Sequence, residues 1–345
     1  MAIWGHTAKG EAVPIYTLTS GKIEVRVMAF GARLVSIKTP DRNGKVEDIV
    51  LGYDSLEGYL KNNPYFGAIV GRYGNRIGHG KFSIDGKTYQ IPINNGPNAL
   101  HGGPVGFDKY VWQSHEVPNG VEFTHVSPDG DMGFPGTLTA KVKYTLTGDT
   151  LHIDYYATTD KPTILNLTNH AYFNLNGNDK GTVLNQEMEL NADKYTPTDA
   201  GLIPTGKEDP VAGTPLDFRK LTPIGSRIDD NFEALKQAGG YDQNFVVNGK
   251  PGTLRLAAVA FDPESGRKMT VETTQPGIQF YTSNFLDGTL TGRHGIKYQK
   301  HSAFCLETQH FPDSPNHPNF PSAVLRPGET FHQTTTFTFS TANAK

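Results

Sequence analysis

Residues 164–175, ILNLTNHAYFNL, are the part of the sequence whose side chains best suit a chemical site. In an extended strand alternate residues point to opposite faces, and one face here carries only uncharged polar groups. These polar residues are Asn166, Thr168, His170, Tyr172 and Asn174. Solvent-facing strands usually carry Lys, Glu, Arg or Asp, whereas amide, hydroxyl, phenol and imidazole groups suit a polyhydroxylated ligand. The pattern predicts either a strand that lines a wet cavity or a hydrogen-bonded ladder of side chains within a large sheet.

A glutamate in an apolar strand is the second candidate for chemistry. Alternation in the segment AFCLETQ directs Phe304 and Leu306 toward a core. The opposite face then carries Cys305, Glu307 and Gln309. A carboxylate at the centre of an otherwise apolar strand is costly unless it is paired or used. We therefore expect Glu307 to have a functional role.

Further polar groups lie in turn segments, just before a predicted strand (Asp242), and on the uncharged polar face of the predicted strand 277–285 (Gln279). Two of these segments, GRYGNRIGHG and NALHGG, are rich in glycine, which lets the backbone turn sharply or approach a ligand closely. The candidate side chains are Asn75, Arg76, His101, Asp242 and Gln279. A solvated turn is the alternative for the glycine-rich segments, and an ordinary turn aspartate is the alternative for Asp242. The first segment lacks the Gly-Lys-Ser/Thr of a phosphate loop, and the chain has no Gly-x-Ser-x-Gly of lipases.

Composition and charge exclude several classes of protein. Lys and Arg total 32 against 35 Asp and Glu, so the net charge of −3 offers no basic face for nucleic acid. It gives no support for binding to an anionic membrane surface either, and no apolar run reaches the roughly 18 residues of a membrane-spanning helix. Cys305 is the only cysteine, which excludes an intrachain disulfide and a cysteine-based zinc cluster. The spacing of His301, His310 and His317 matches no compact metal motif.

The N-terminal residues, MAIWGH, contain no basic region followed by an apolar one, as a secretory signal would. We therefore expect a cytoplasmic protein. A secreted protein whose leader had been removed would have the same sequence features.

Many short strands are expected from the composition and from the turn signals. Gly (38) and Pro (23) are frequent, and Tyr (15) and Phe (19) are abundant. Sequences such as DRNG at 41–44, Asp-Gly at 85–86 and Gly-Asp at 148–149 are typical of tight turns between antiparallel strands. The predicted strands include residues 48–53 and 183–190. Only residues 55–60 and 231–240 predict short helices, and no linker interrupts the pattern. The prediction is one all-β domain over residues 1–345, built from two large packed antiparallel sheets.

Six short motifs now support a resemblance to a known family. They are Asn75-Arg76, LHGG at 100–103, NHAYFN at 169–174, GYD at 240–242, GIQFY at 277–281 and CLETQ at 305–309. In this order the motifs resemble those of the galactose mutarotase (aldose 1-epimerase) family, and the resemblance runs from about Gly31 to Phe339. Each motif alone is weak, but six in the right order are hard to obtain by chance.

The resemblance implies a β-supersandwich fold and an isomerase that interconverts the α and β anomers of free aldohexoses such as galactose and glucose. It implies that no cofactor and no metal takes part, and that His170 and Glu307 are the catalytic pair. The residues that it implies for sugar binding are Asn75, Arg76, His101, Tyr172, Asp242 and Gln279. The only expected partner is the sugar, and the expected state is a monomer or a weak homodimer.

Anomer exchange needs one base and one acid, because the C1 hydroxyl loses a proton while the ring oxygen O5 gains one. Our hypothesis is that Glu307 is the base at the C1 hydroxyl and that protonated His170 is the acid at O5. Histidine titrates near neutral pH, and a nearby carboxylate is expected to favour its charged form. Each group should contribute roughly 10²–10⁴ in rate.

Other functions remain open at this point. A glycoside hydrolase could use Asp242 and Glu307 as its two carboxyl groups, and a non-catalytic sugar-binding module could share the fold. An enzyme for phosphorylated hexoses is disfavoured because Arg76 is the only permanent cation among the candidate residues.

Overall fold

The structure is a computed structural model that describes residues 1–61 and 64–342. Strands dominate it, as expected from the sequence. In chain order they are β1 (Ala2–His6), β2 (Ala12–Ser20), β3 (Ile23–Met28), β4 (Arg33–Pro40), β5 (Val46–Asp48), β6 (Ile69–Val70), β7 (Arg76–Ile77), β8 (Lys81–Ile84), β9 (Lys87–Gln90), β10 (Ala99–Leu100), β11 (Gln113–Val117), β12 (Gly120–Ser127), β13 (Leu138–Thr147) and β14 (Thr150–Thr159). The second half of the described chain adds β15 (Thr163–Ile164), β16 (Thr168–Asn169), β17 (Glu187–Leu190), β18 (Lys194–Tyr195), β19 (Asp209–Pro210), β20 (Thr222–Pro223), β21 (Asp242–Val246), β22 (Arg255–Phe261), β23 (Arg267–Thr273), β24 (Gly277–Tyr281), β25 (Cys305–Gln309), β26 (Val324–Leu325) and β27 (Phe331–Thr341). The predicted domain limit at residue 345 lies outside the described residues.

The helices are few and short, and the two that the sequence predicts are confirmed. They are α1 (Leu56–Leu60) and α2 (Glu233–Ala238). Gly239 ends α2 in the left-handed conformation with φ 69°, where a residue without Cβ is unstrained. Single turns of 3₁₀ helix cover Gly78–Gly80, Phe107–Lys109, Asp131–Gly133, Ile224–Ser226, Arg293–Gly295 and Ser314–Asn316. Over the described ranges, no helix has the length and apolar character needed to cross a membrane.

Three large sheets, rather than the two expected, organise the described chain. The first sheet has the strand order β1-β2-β3-β4-β5, and the large sheet has the order β11-β12-β13-β14-β27-β23-β22-β17-β20. The third, which we call the site sheet, has the order β19-β18-β21-β24-β25. Neighbouring strands run antiparallel, and the Gly148-Asp149 turn joins β13 and β14 as the sequence indicates. Turn signals predict such hairpins but not how many sheets the strands form.

The main hydrophobic core joins all three sheets. Val25 of β3, Val142 of β13 and Phe280 of β24 belong to the same buried cluster, and each is fully buried. Alternation explains this arrangement, because β13 buries every second residue along most of its length. The large sheet therefore packs against both smaller sheets, and the site sheet is supported on one face by this core.

The segment 164–175 is not the single two-faced strand that alternation predicts. Only β15 and β16 are regular within it, and they pair with β26 and β6 respectively. Further on, Phe173 forms isolated bridges with Val50 and Phe304. The segment thus runs through the interior, where different neighbours surround successive residues and both predicted faces are buried. Asn166 and Asn174 bind backbone carbonyls of neighbouring segments instead of facing a cavity.

Two further predicted strands are shorter in the structure. The strand expected at residues 48–53 ends at Asp48, whose carboxylate accepts backbone N–H groups of Ile37 and Val50 and so replaces ladder bonds. The strand expected at residues 183–190 begins only at Glu187. Side-chain hydrogen bonds of this kind compete with sheet pairing, which a pattern of apolar residues does not report.

Candidate active site

The site sheet places several of the predicted residues on one face. Glu307 lies directly opposite Gln279 in the pairing of β25 with β24, and Gln279 lies opposite Asn244 of β21. Directly opposed residues share a face, and so does Asp242, two residues before Asn244. Leu306 points the other way into the main core, as predicted from the sequence. The face opposite the core therefore carries a row of carboxyl and amide groups.

A second set of residues approaches this face from the loops around β7 and β10. These two strands pair with each other, so Asn75 and His101 lie side by side. The backbone N–H of His101 donates to the carbonyl oxygen of Asn75 at 3.0 Å, and the N–H of Asn75 donates to His101 Nδ1 at 2.9 Å. Both residues have positive φ, 61° and 50°, a conformation that is uncommon outside glycine and frequent at functional sites. Gly102 follows, where a Cβ would lie 2.1 Å from the carbonyl oxygen of Gly71.

Together the loops and the sheet enclose a pocket of about 530 Å³, open solvent at its mouth included. Of the predicted residues, seven line it: Asn75, Arg76, His101, His170, Tyr172, Asp242 and Glu307. Its other lining residues are Pro64, Tyr65, Leu100, Tyr281 and Phe285. A sugar-sized pocket in which a few polar groups converge between apolar walls is the usual form of a small-molecule site.

Gln279 is the one predicted residue that does not line the pocket. It lies behind Asp242, and its Nε2 donates to Asp242 Oδ1 at 2.9 Å. Its Oε1 accepts a hydrogen bond from Gln309 Nε2 at 3.0 Å. Gln279 therefore contacts a pocket residue, while direct binding of a ligand by Gln279 stays a prediction.

His170 and Glu307 form a close pair at the floor of the pocket. Nε2 of His170 lies 3.5 Å from Oε1 of Glu307, and the other carboxylate oxygen, Oε2, has no partner among the described residues. Burial lowers the pKa of His170 to about 4, opposite to the direction expected from the neighbouring carboxylate. Burial, together with the charge of Asp242, raises the pKa of Glu307 well above its ordinary value. Burial therefore drives both groups toward their neutral forms.

Asp242 and Arg76 complete the polar part of the pocket. Burial raises the pKa of Asp242, while the charge of Arg76 and the hydrogen bond from Gln279 act in the opposite direction. Arg76 is itself buried, and its Nε donates to Asn95 Oδ1 at 3.2 Å. A single guanidinium thus faces two buried carboxyl groups, Asp242 and Glu307. Its charge partly offsets the rise in pKa that burial causes in each.

The donor set of the pocket suits hydrogen bonding better than metal binding. His101, His170 and Glu307 each bring one nitrogen or oxygen atom to within 4.8 Å of the others. Nδ1 of His101, however, accepts the N–H of Asn75, so the proton of the neutral ring is on Nε2. Burial and the charges of His170 and Arg76 lower the pKa of His101 well below its ordinary value. His101 is therefore a fixed neutral N–H donor without a free lone pair for a metal.

The three histidines near the C-terminus have separate local contacts. His301 Nδ1 contacts the carbonyl oxygen of Thr282 at 2.9 Å, and His317 Nε2 contacts Asp313 Oδ2 at 3.0 Å. His310 packs against Phe331. Each imidazole thus has its own neighbours, outside the pocket.

Tyr172 supports His170 from one side. Their rings are stacked with centroids 5.1 Å apart and an interplanar angle of 22°. The hydroxyl of Tyr172 donates to the carbonyl oxygen of Pro64 at 2.9 Å. Tyr172 therefore offers its ring rather than its hydroxyl to the pocket.

The sequence pattern missed Tyr65 and Phe285. The Tyr65 ring lies 4.6 Å from that of His101 and 5.8 Å from that of His170, and its φ is 66°. Phe285, 64% exposed, stacks on Tyr281 at the mouth of the pocket. Neither residue belongs to one of the six motifs, and the sequence held no signal that would bring either of them to the pocket.

The all-β sandwich with its pocket of hydrogen-bonding and aromatic side chains matches proteins of one class, the sugar epimerases, which are isomerases. The family model described as Aldose 1-epimerase matches residues 14–338, and the chain belongs to that family. The galactose mutarotase of Bos taurus is 46% identical over 342 residues, which cover 99% of this chain and 98% of the relative. The aldose 1-epimerase of Escherichia coli is 41% identical over 321 residues, 91% of each chain.

Solved structures agree with this assignment. A GalM/aldose epimerase homologue from C. elegans superimposes with a TM-score of 0.87 at 33% identity, covering 96% of this chain and all of that one. A galactose 1-epimerase from Lactobacillus acidophilus gives the same TM-score at 28% identity and covers 99% of this chain and 98% of its own. The all-β fold expected from the sequence is confirmed.

Proposed function

We propose that the protein interconverts the α and β anomers of free aldohexoses, D-galactose and D-glucose among them, by acid–base-catalysed opening and closing of the sugar ring. The observation that carries the proposal is the buried pair of His170 and Glu307 in a sugar-sized pocket, with one carboxylate oxygen that has no partner within residues 1–61 and 64–342. Relatives named galactose mutarotase over nearly the whole chain support it.

In the proposed reaction the C1–O5 bond breaks and re-forms, and the protein contributes proton transfers. The C1 hydroxyl gives its proton to Glu307 as the C1–O5 bond breaks, and His170 gives a proton to O5. The resulting open-chain aldehyde rotates about its C1–C2 bond. Closure returns a proton from Glu307 to the C1 oxygen and one from the O5 hydroxyl to His170, so the protein ends as it began.

The protonation that burial favours in the pair is compatible with this cycle. A neutral pair, with the proton on Glu307, and an ion pair, with the proton on His170, contain the same number of protons. The reactive form is the ion pair, and a move of one proton over the short gap between the two side chains converts one into the other. A sugar hydroxyl that donates to Glu307 Oε2 favours the carboxylate, as does the nearby charge of Arg76.

The remaining polar residues are proposed to hold the sugar. His101 and Arg76 donate to the aldehyde oxygen or to neighbouring hydroxyls, Asn75 contributes its amide, and Asp242 accepts from sugar hydroxyls. Tyr172 borders the apolar face of the ring. Donors fixed before the substrate binds stabilise developing charge without reorganisation.

Polarimetry on freshly dissolved α-D-galactose and α-D-glucose tests the proposal. We expect the protein to bring the rotation to equilibrium faster than the spontaneous reaction, and Glu307→Gln and His170→Asn each to reduce the acceleration by roughly 10²–10⁴. Glu189→Gln, on β17 of the large sheet, is the matched control and should retain the parental rate. A parent protein that leaves both spontaneous rates unchanged would exclude catalysis on these hexoses. Retained activity in Glu307→Gln would remove the assigned base.

A further inference from the structure

A chain of buried side-chain amides leads away from Asp242 across the site sheet. Gln309 Nε2 donates to Gln279 Oε1 at 3.0 Å and to Asn244 Oδ1 at 3.1 Å. Asn244 Nδ2 in turn donates to Thr196 Oγ1 at 3.3 Å. With the bond from Gln279 to Asp242, four residues connect the pocket to β18 and its flank, and all of them are buried.

The carboxylate at one end sets the direction of every amide in this chain. An ionised carboxylate only accepts hydrogen bonds, so Gln279 must present its NH₂ to Asp242. Its carbonyl oxygen then points away and needs a donor, which is the NH₂ of Gln309. Both N–H groups of Gln309 are used in this way, while its own Oε1 has no partner among the described residues. The orientation that makes both donated bonds thus leaves the Gln309 carbonyl oxygen buried and unpaired among the described residues, which costs free energy.

The backbone of β24 makes room for the chain. Gly277 lies opposite Gln309 and next to the side chain of Asn244. A Cβ at this position would lie 2.5 Å from Asn244 Oδ1 and 3.0 Å from the ring of Phe311. An ordinary residue there would displace the group that Gln309 binds.

We propose that Gln309 is a positioning residue for sugar binding, which locks the Gln279 amide in the orientation that presents its NH₂ to Asp242. The proposal rests on the proposed role of Asp242 as an acceptor for sugar hydroxyls. Without the donor from Gln309, the Gln279 carbonyl oxygen is buried with no partner, which destabilises the orientation that presents its NH₂ to Asp242. Any turn of the amide that relieves this brings the carbonyl oxygen toward the carboxylate, which displaces Asp242 or favours its protonated form and so weakens its acceptance of hydroxyl hydrogen bonds.

Steady-state polarimetry with Gln309→Met tests this role. Met has a similar volume and no N–H donor, so we expect KM for galactose to rise roughly 10- to 100-fold, the loss of an oriented bond to a charged group. We expect kcat to stay within about threefold, because uniform binding is lost and the reacting pair is not touched. Gln309→Asn keeps an amide but shortens its reach, and we expect it to raise KM in the same way. It replaces Gln309→Met as the test variant if Gln309→Met does not fold. Thr308→Val, whose side chain faces Thr335 on the other side of β25, is the control and should keep the parental KM.

A double-mutant cycle separates positioning from a general structural effect. If Gln309 acts through Asp242, Gln309→Met should add little to the KM of an Asp242→Asn variant, whereas independent effects multiply. A multiplicative result, or a parental KM in a folded Gln309 variant, would overturn the proposal. A parent protein without mutarotase activity would overturn the proposed function instead, before any Gln309 variant is compared.

Discussion

Nε2 of His170 lies 3.5 Å from Oε1 of Glu307, and their side chains are only 6% and 3% exposed. At this distance and burial we expect the two groups to titrate as a pair, and in the proposed cycle the pair is active when it holds one proton. Acid adds a second proton and base removes the only one. Under this proposal the state of the pair, rather than of either residue, sets the pH range of activity.

We expect a wide, bell-shaped dependence of kcat/KM on pH. The acid limb should lie near 4, because burial lowers the pKa of His170 to about 4 and the second proton adds there. The basic limb should lie well above the ordinary glutamate pKa, because the raised pKa of Glu307 delays the loss of the shared proton. Initial rates by polarimetry, corrected for the spontaneous rate at each pH, give the profile.

The residual activity of Glu307→Gln provides the control for this profile. That variant carries no proton at position 307, so the parental basic limb set by Glu307 should be absent, and activity that depends on protonated His170 should instead fall as the pH rises through the lowered His170 pKa. An acid limb of the parent centred near about 6.5, the ordinary histidine value, would contradict the assignment.

Tyr65 is expected to set the position of the acid limb, since its ring covers both pocket histidines. Tyr65→Ala admits water to His101 and His170, which weakens the desolvation that lowers their pKa values. The acid limb of kcat/KM should then move upward toward about 6.5. Tyr65→Phe keeps the ring and serves as the matched control. An unchanged acid limb in Tyr65→Ala would show that other groups keep the imidazoles dry.

Arg72 and Arg76 are close in sequence, but we expect their substitution by methionine to change different properties. Arg72→Met should lower stability, whereas Arg76→Met should raise KM. The Arg72 guanidinium donates to four backbone carbonyls, at the end of β12 and before β13, and to the hydroxyls of Ser127 and Thr163. It lies outside the pocket lining. Arg72→Met leaves these buried acceptors unpaired, so the free energy of unfolding should fall by about 3 kcal/mol or more. Chemical denaturation measures it.

For Arg76→Met we expect near-parental stability and a KM for galactose raised roughly 10- to 100-fold, because a charged donor leaves the pocket. Each variant thus serves as the control of the other. Equal loss of stability in both variants, or a parental KM in Arg76→Met, would contradict the assigned roles.

Local patterns predicted those parts of the fold that depend on neighbours in sequence. The Asp85-Gly86 turn joins β8 to β9 as expected, and the alternation around Glu307 placed it on the correct face. The prediction of a single strand at residues 164–175 was wrong, because the neighbours of this segment come from distant parts of the chain, including β6, β26 and Phe304. A short alternating sequence pattern does not distinguish a strand within one sheet from a segment surrounded by several different neighbours.

The candidate site was predictable in its motifs but not in its electrostatics. The lowered pKa of His170 depends on burial by Tyr172 and Tyr65, and Tyr65 belongs to no motif. A carboxylate partner alone favours the opposite direction. The sequence also did not predict the hydrogen-bonded amide chain through Gln309, because this chain depends on the register of three strands that are far apart in sequence.

Outside the pocket, His125 is expected to make stability depend on pH. Its ring packs against Phe107, Tyr110 and Trp112, and its Nε2 has no partner among the described residues. Burial lowers its pKa to about 4. Unfolding therefore takes up a proton between about 6.5 and about 4, so the stability from burying the neutral ring is complete above about 6.5 and is lost as the pH falls through about 4.

His125→Phe keeps an aromatic ring in this cluster and removes the titration. In that pH interval the free energy of unfolding should depend less steeply on pH than in the parent, by up to about 1.4 kcal/mol per pH unit. Chemical denaturation at several pH values measures the difference. His115→Phe, on the adjacent strand β11, is the control, because this imidazole is already exposed in the folded state. Equal pH dependence in His125→Phe and the parent would mean that the His125 ring accepts a proton without leaving the fold.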